Sequence, residues 1–247
     1  MRTVTELTDS IAWIARCESN EDGTHMHLGQ YLIETADGYV LVDAGEGHDE
    51  GLLETLETAT DGRGIDAVVL THSILPHTEN VDAIRELWTD ATVISAVGNP
   101  AAVGLEGAEP SVAGQSETLA GERFTFIDPL ITDVVVSTWI YHHESKTVFT
   151  AEGVGHYHAP GECTFLSTEY EDGVPLEYVR SFAGDKLQFF EYLDPEKLRI
   201  GFDNLLAEYD IDRFAPAHGT PLLEPDIERY ADDLARAAGA FEYAQSP

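Results

Sequence analysis

The sequence predicts an α+β fold in which two β-sheets pack face to face and helices cover the outside. Three observations carry this. Strand-length apolar segments followed by helix signals recur in both halves of the chain, one such segment is almost unbroken in its apolar character, and no linker-like or low-complexity stretch separates the halves. Two strand-rich halves that each carry helices bury their apolar faces by stacking the sheets and covering them. A chain of 247 residues is within reach of one such core, so one domain over residues 1–247 is expected.

The first half opens with strands predicted at Ile11 to Ala15, Tyr31 to Glu34 and Tyr39 to Val42. The last two are joined by Ala36-Asp37-Gly38, a hairpin sequence. Ile65 to Leu70 is the nearly continuous apolar run and ends at Thr71-His72, which marks a strand buried on both faces that delivers His72 at its C-terminal end. Thr78 is positioned to cap a helix running to Trp88, with Val81, Ile84, Leu87 and Trp88 on one side, and Thr92 to Ala96 returns as a strand. In the second half Phe124 to Ile127, Val134 to Ile140 and Thr147 to Thr150 read as strands. Asp194-Pro195-Glu196 starts a helix whose apolar side holds Leu198, Phe202, Leu205 and Leu206. Ile211 to Ala215 is a last strand, ending at Pro216-Ala217-His218-Gly219, and Pro225 opens a C-terminal helix through Leu234 and Ala238.

Charge restricts the partners. The chain carries 46 acidic and 13 basic residues, a formal net charge of -33, which implies strong self-repulsion in dilute buffer. Molar salt shortens the Debye length to about 3 Å and relieves it. The scarcity of lysine, limited to Lys146, Lys186 and Lys197, fits a haloarchaeal-type acidic surface adapted to a salty cytoplasm. Nucleic acid is not expected as a partner, because phosphate binding depends on clustered Lys and Arg. No apolar run approaches the roughly 20 residues of a membrane span, and the N-terminus lacks a signal-peptide pattern, so a cytoplasmic protein without a membrane partner is expected. Cys17 and Cys163 form no CxxC motif and are expected to be two ordinary thiols.

Several polar residues follow buried strands, where ligands converge in layered α/β folds. These are His72 and His77 after one strand, Glu152 after another and His218 after the last. Two or three imidazoles with a carboxylate suit either zinc or non-haem iron. Taken singly, each residue is better explained by a hydrogen-bonded structural role than by ligation.

Gln30-Tyr31-Leu32-Ile33, Tyr39-Val40-Leu41-Val42-Asp43-Ala44-Gly45, Val69-Leu70-Thr71-His72-Ser73-Ile74-Leu75-Pro76-His77 and Ala215-Pro216-Ala217-His218-Gly219 resemble the successive motifs of the metallo-β-lactamase superfamily. The resemblance spans nearly the whole chain and implies a four-layer αββα sandwich. Gly23-Thr24, Phe124-Thr125-Phe126-Ile127-Asp128-Pro129 and Phe149-Thr150-Ala151-Glu152 through Gly155 narrow it toward the metallo-β-lactamase-like domain of flavodiiron proteins. The family motif His-x-His/Glu-x-Asp-His keeps its outer histidines as His72 and His77. Ile74 and Pro76 stand where two ligands belong, and neither can bind a cation. A further family histidine falls near Thr132 and Asp133, the bridging aspartate corresponds to Glu152, the final histidine to His218, and Asp43 to an aspartate that braces loops.

The resemblance therefore implies a degenerate metal centre of His72, His77, Glu152 and His218, more readily mononuclear than dinuclear, with His25 and His27 as substitute ligands. His48, His156 and His158 are placed in loops bordering the pocket, and His142 and His143, beside Glu144, in a solvated turn. Iron, as one or two ions, or zinc are the implied cofactors, and a metal-free site is the other option. Three functions follow: a relative of oxygen and nitric-oxide reductases that binds gas or acts in redox chemistry, served by a separate electron-donor protein; a metallo-hydrolase of a thioester, lactone or phosphodiester; or a metal-free scaffold for a small-molecule ligand or protein. The flavodiiron resemblance also implies a homodimer.

Overall fold

Alternation along the strands sorts the apolar side chains into separate layers. The computed structural model describes residues 2–47, 49–73, 77–134, 136–187 and 189–239. One sheet runs in the order β1 (Arg2–Glu6), β2 (Ile11–Ser19), β3 (His25–Glu34), β4 (Tyr39–Val42), β5 (Ala67–Val69), β6 (Thr92–Ser95) and β7 (Glu109–Pro110). Its first four strands pair antiparallel and its last four parallel. The other sheet places β8 (Ser116–Leu119), β9 (Glu122–Ile127), β10 (Trp139–His142), β11 (Thr147–Phe149), β12 (Arg213–Ala215) and β13 (Leu222–Leu223) side by side. In this sheet β11 and β12 are the parallel pair.

Successive residues of a strand face opposite sides. Val40 and Val42 of β4, with Ala67 and Val69 of β5, meet Phe124, Phe126, Ile140, Phe149 and Ala215 of the other sheet in an inner core. The alternate residues Tyr39, Leu41, Val68 and Leu70 face outward, where Leu52 and Leu56 of α1 (Glu50–Ala59) and Val81 and Ile84 of α2 (Val81–Leu87) cover them. The second sheet turns Trp139, Tyr141, Val148 and Phe214 outward onto α3 (Leu176–Lys186), α4 (Pro195–Glu208) and α5 (Asp226–Gly239). The result is the expected order helix, sheet, sheet, helix. No helix among the described residues is long and apolar enough to cross a membrane.

Several local expectations need correction. The helix after His77 begins at Val81 with Asn80 as N-cap, not at Thr78. The Asn80 side chain is committed elsewhere, donating to the Ala44 carbonyl and accepting from the Asp49 N–H. The strand expected from Val134 begins only at Trp139, because Thr132 ties its hydroxyl to the Val134 carbonyl and to Ser137, holding a turn. His142 is fully buried on β10, stacked on Phe124 and paired with Glu122, so it does not lie in a solvated turn. Ile74, Pro76 and His48 lie outside the described residues.

Candidate metal centre

The parallel strands of both sheets end on the same rim, and that sets the site. β5 runs into Thr71-His72, and an isolated bridge pairs His72 with Ser137 across the sheets. β11 and β12 continue as two paired loops, with Thr150 N–H donating to the Ala215 carbonyl and Ala217 N–H to the Ala151 carbonyl. Ala151 takes a left-handed φ of 49°, a conformation unfavourable for a residue with a Cβ. That bend precedes Glu152, whose side chain is buried against His77 and His218. The His218 loop is fastened to the first sheet by the Gly29 N–H and the Tyr31 hydroxyl, which donate to the Ala217 and Pro216 carbonyls.

The centre converges on one oxygen. Glu152 Oε1 lies 3.0 Å from His77 Nε2 and 2.9 Å from His218 Nε2. Glu152 Oε2 is buried and has no hydrogen-bond partner among the described residues. His218 donates its Nδ1 proton to the His27 carbonyl at 2.8 Å, since a carbonyl can only accept. Its Nε2 therefore faces the carboxylate either protonated, making the ring an imidazolium, or as a bare lone pair, which is tolerable only with a cation between the two. His77 is in the same position, with Nδ1 3.4 Å from Asp43 Oδ2 on its other side. His72 stacks on His77 with ring centroids 4.9 Å apart. Its Nδ1 is 3.1 Å from Ser137 Oγ and its Nε2 3.5 Å from Asp133 Oδ1. His72, His77 and Glu152 each bring one ligand atom within 4.8 Å of the others.

Electrostatics follow from this packing. Burial opposes a charge on His77, but Asp43 and Glu152 outweigh it and push its pKa up to about 10. Burial opposes the charge on Glu152 as well, yet His218 and His77 hold it well below the usual carboxylate range. Burial, then the proximity of His77, lowers His72. The sign of the pH dependence is then fixed for metal-free protein. His77 is raised from 6.5, so its contribution is complete below about pH 6.5 and is lost toward pH 10. Glu152 is depressed from 4.5, so its contribution is complete above about pH 4.5 and is lost in acid. In chelator-treated protein, the stability advantage of wild type over His77→Gln, measured by urea titration, is expected to peak between those limits and shrink toward pH 10. An advantage that grows above pH 7 would contradict this.

The predicted residues thus divide into two groups. His72, His77, Glu152 and His218 come together. The side chains of His25 and His27 do not reach them: His27 Nε2 contacts the Cys163 carbonyl and His25 Nδ1 lies 3.6 Å from Cys163 Sγ. His156 accepts from the Thr220 N–H and His158 joins the His25 and His27 group. Asp43 does brace the loop after β5, accepting from the Thr71 N–H and hydroxyl, and it also approaches His77. Asp133, which stands where a family histidine is missing, contacts His72 Nε2, a contact that the sequence spacing alone does not reveal. A small cavity of about 10 Å³ lies beside His77 and His218, lined also by Gln30, Gly45 and Ala217. A larger cleft of about 430 Å³ between Leu206 and Glu228 holds none of the centre's residues.

Two face-to-face sheets flanked by helices, with imidazole and carboxylate side chains gathered at the joined strand ends, define an αββα sandwich with a candidate metal centre on its rim. The chain belongs to the metallo-beta-lactamase superfamily, whose family model matches residues 30–169. No curated protein matches the sequence. Among solved structures, a variant of the flavo di-iron protein from Thermotoga maritima is 16% identical with a TM-score of 0.78, over 96% of this chain and 61% of that one. Rubredoxin oxygen:oxidoreductase from Desulfovibrio gigas is 15% identical with a TM-score of 0.73, over 96% and 62%. A diflavin flavoprotein fragment from Nostoc sp. is 16% identical with a TM-score of 0.76, over 97% and 96%. The chain spans about three fifths of the length of the first two, and the likeness establishes a shared fold.

Proposed function

We propose that the chain binds a single iron or zinc ion through His77, Glu152 and His218, with His72 as a fourth donor, and presents it to a diatomic gas. The observation that carries the reading is the shared Glu152 oxygen, which faces one ring nitrogen of His77 and one of His218 while the His27 carbonyl fixes the other nitrogen of His218. Neutral imidazole and carboxylate are the donor set that iron and zinc take. Iron would supply an open position for a gas and for electron transfer, whereas zinc would supply a Lewis acid. The protein's own contribution is to bury the donors, to hold Nδ1 of His218 protonated, and to limit access. The flavo di-iron and oxygen oxidoreductase likenesses support iron. A separate electron donor, a homodimer and a cytoplasmic setting belong to the same reading.

One observation favours a metal-free alternative: the His77, Glu152 and His218 contacts close as hydrogen bonds when both rings are protonated. Elemental mass spectrometry on untagged protein purified in high salt, beside a His77→Ala/His218→Ala variant, separates the readings. Near-stoichiometric iron lost in the variant is the expected result. Zinc lost in the same way moves the weight to hydrolysis, and no metal in either folded protein overturns metal binding and leaves a scaffold.

A further inference from the structure

A second cluster of metal-ligating side chains lies where β2, β3 and the loop after Glu152 meet. Cys17 on β2 is the cross-strand partner of His27 on β3, and His25 stands two residues earlier on the same strand. Alternate positions of a strand face one side, so His25 and His27 share a face. The loop is locked alongside by paired backbone hydrogen bonds between His25 and His158, at 2.8 and 3.0 Å. It also brings Cys163 beside the histidines.

Cys17 Sγ lies 3.5 Å from His158 Nε2, and Cys163 Sγ lies 3.6 Å from His25 Nδ1. Ligand atoms of Cys17, His27 and His158 all fall within 4.8 Å of one another, as do those of His25, His158 and Cys163. The tautomers are set by carbonyls. His158 Nδ1 donates to the Ala159 carbonyl, leaving Nε2 as a lone pair toward Cys17, and His27 Nε2 donates to the Cys163 carbonyl. The remaining nitrogen of His27, Nδ1, is fully buried and has no hydrogen-bond partner among the described residues. A buried acceptor left without a partner is costly, so its retention calls for a reason. Backbone carbonyls that fix the far nitrogen of an imidazole are the usual support of a metal-ligating histidine.

We infer that the two triads, which share His158, close on one zinc ion held by Cys17, Cys163 and His158 with His25 or His27, at a site separate from the His77, Glu152 and His218 centre. Two sulfurs and imidazole nitrogen make the soft, tetrahedral donor set that selects zinc over magnesium or calcium. On binding, each thiol gives its proton to solvent and its sulfur bonds the ion. The ion staples β2 and β3 to the loop that leaves Glu152. The His27 carbonyl that holds His218 is part of the same strand, so the staple also steadies the other centre.

Cobalt is the probe, because thiolate ligation gives intense charge-transfer absorption in the near ultraviolet that a His and Glu site cannot give. Reduced, chelator-treated full-length protein titrated with Co²⁺ in high salt is expected to show these bands at saturation with two equivalents, one ion for each centre. They should persist in His77→Ala/His218→Ala and vanish in Cys17→Ser/Cys163→Ser, and Zn²⁺ should displace them. Single substitutions at His25 and His27 then identify the fourth ligand. Cobalt bound without thiolate bands, or bands that survive loss of both cysteines, would overturn the site. Should the cysteine variant not fold, the wild type decides the matter: saturating Zn²⁺ is expected to protect both thiols from a thiol-specific reagent, and full reactivity of both counts against the proposal. Failure of the iron or zinc reading above leaves this outcome untouched, since the two sites share no ligand.

Discussion

Replacing Glu152 with alanine is expected to destabilise the metal-free protein by roughly 3–5 kcal/mol, the range seen when one partner of a buried ionic group is removed. The side chain is almost fully buried and one of its oxygens serves His77 and His218 together. Alanine strands both imidazoles at once. His218 keeps its bond to the His27 carbonyl and His77 keeps Asp43, so each ring retains one partner and the loss stays within that range. Glu152→Gln should cost less, because an amide keeps the volume and one acceptor oxygen. Urea titrations in chelator measure the stability term. Titration with Fe²⁺ or Zn²⁺ measures the other consequence, a fall in affinity for the main centre of at least about 100-fold, at or beyond the upper end of what loss of a supporting residue causes. A loss of stability below about 1 kcal/mol with unchanged metal uptake would show that Glu152 is neither the hub of the cluster nor a ligand.

Much of the fold is legible because burial on both faces writes itself into the sequence. β4 and β5 are apolar at every position, and the helix α4 announces itself through Asp194, which accepts from the N–H groups of Glu196 and Lys197 ahead of Pro195-led turns. The elements that the sequence does not reveal have weaker signals for physical reasons. β1 is an edge strand with the polar sequence RTVTE and no buried residue, and α1 buries only Leu52 and Leu56 in an acidic surface helix. α3 begins after Pro175 without a side-chain cap. The four residues of the main centre follow from strand ends and family motifs. The cysteine and histidine cluster does not, since Cys17 and Cys163 stand 146 residues apart and are joined only by the loop that folds back onto β3. The paired histidines His25 and His27 were visible, but alternation gives a shared face and not the identity of what lies opposite.

Gly155→Ala is expected to damage fold and centre together, by about 3 kcal/mol, the upper end of the usual cost of overpacking a core. A Cβ at this position would sit 2.4 Å from two ring carbons of Phe182 and 2.6 Å from the His218 carbonyl oxygen. Neither wall yields cheaply. Phe182 is fully buried and packs edge-on against Tyr157, while the His218 carbonyl accepts from the His156 N–H and Gly155's own carbonyl accepts from the Tyr230 hydroxyl. The strain must therefore move either Phe182 or the loop that carries His218, and the latter displaces a ring nitrogen that contacts Glu152. Thermal or urea unfolding reads the first effect, and a metal titration reads the second as a loss of about 10-fold, as for other changes in the support of a ligand. Two further variants separate this from a general intolerance of larger residues. Gly98→Ala, where nothing lies within 4 Å of the added carbon, should stay within about 0.5 kcal/mol of wild type. Phe182→Leu placed on Gly155→Ala should recover part of the loss, because the two positions are in contact and their effects are not additive; a fully additive pair would mean that the strain is relieved elsewhere and that His218 is not held by this contact.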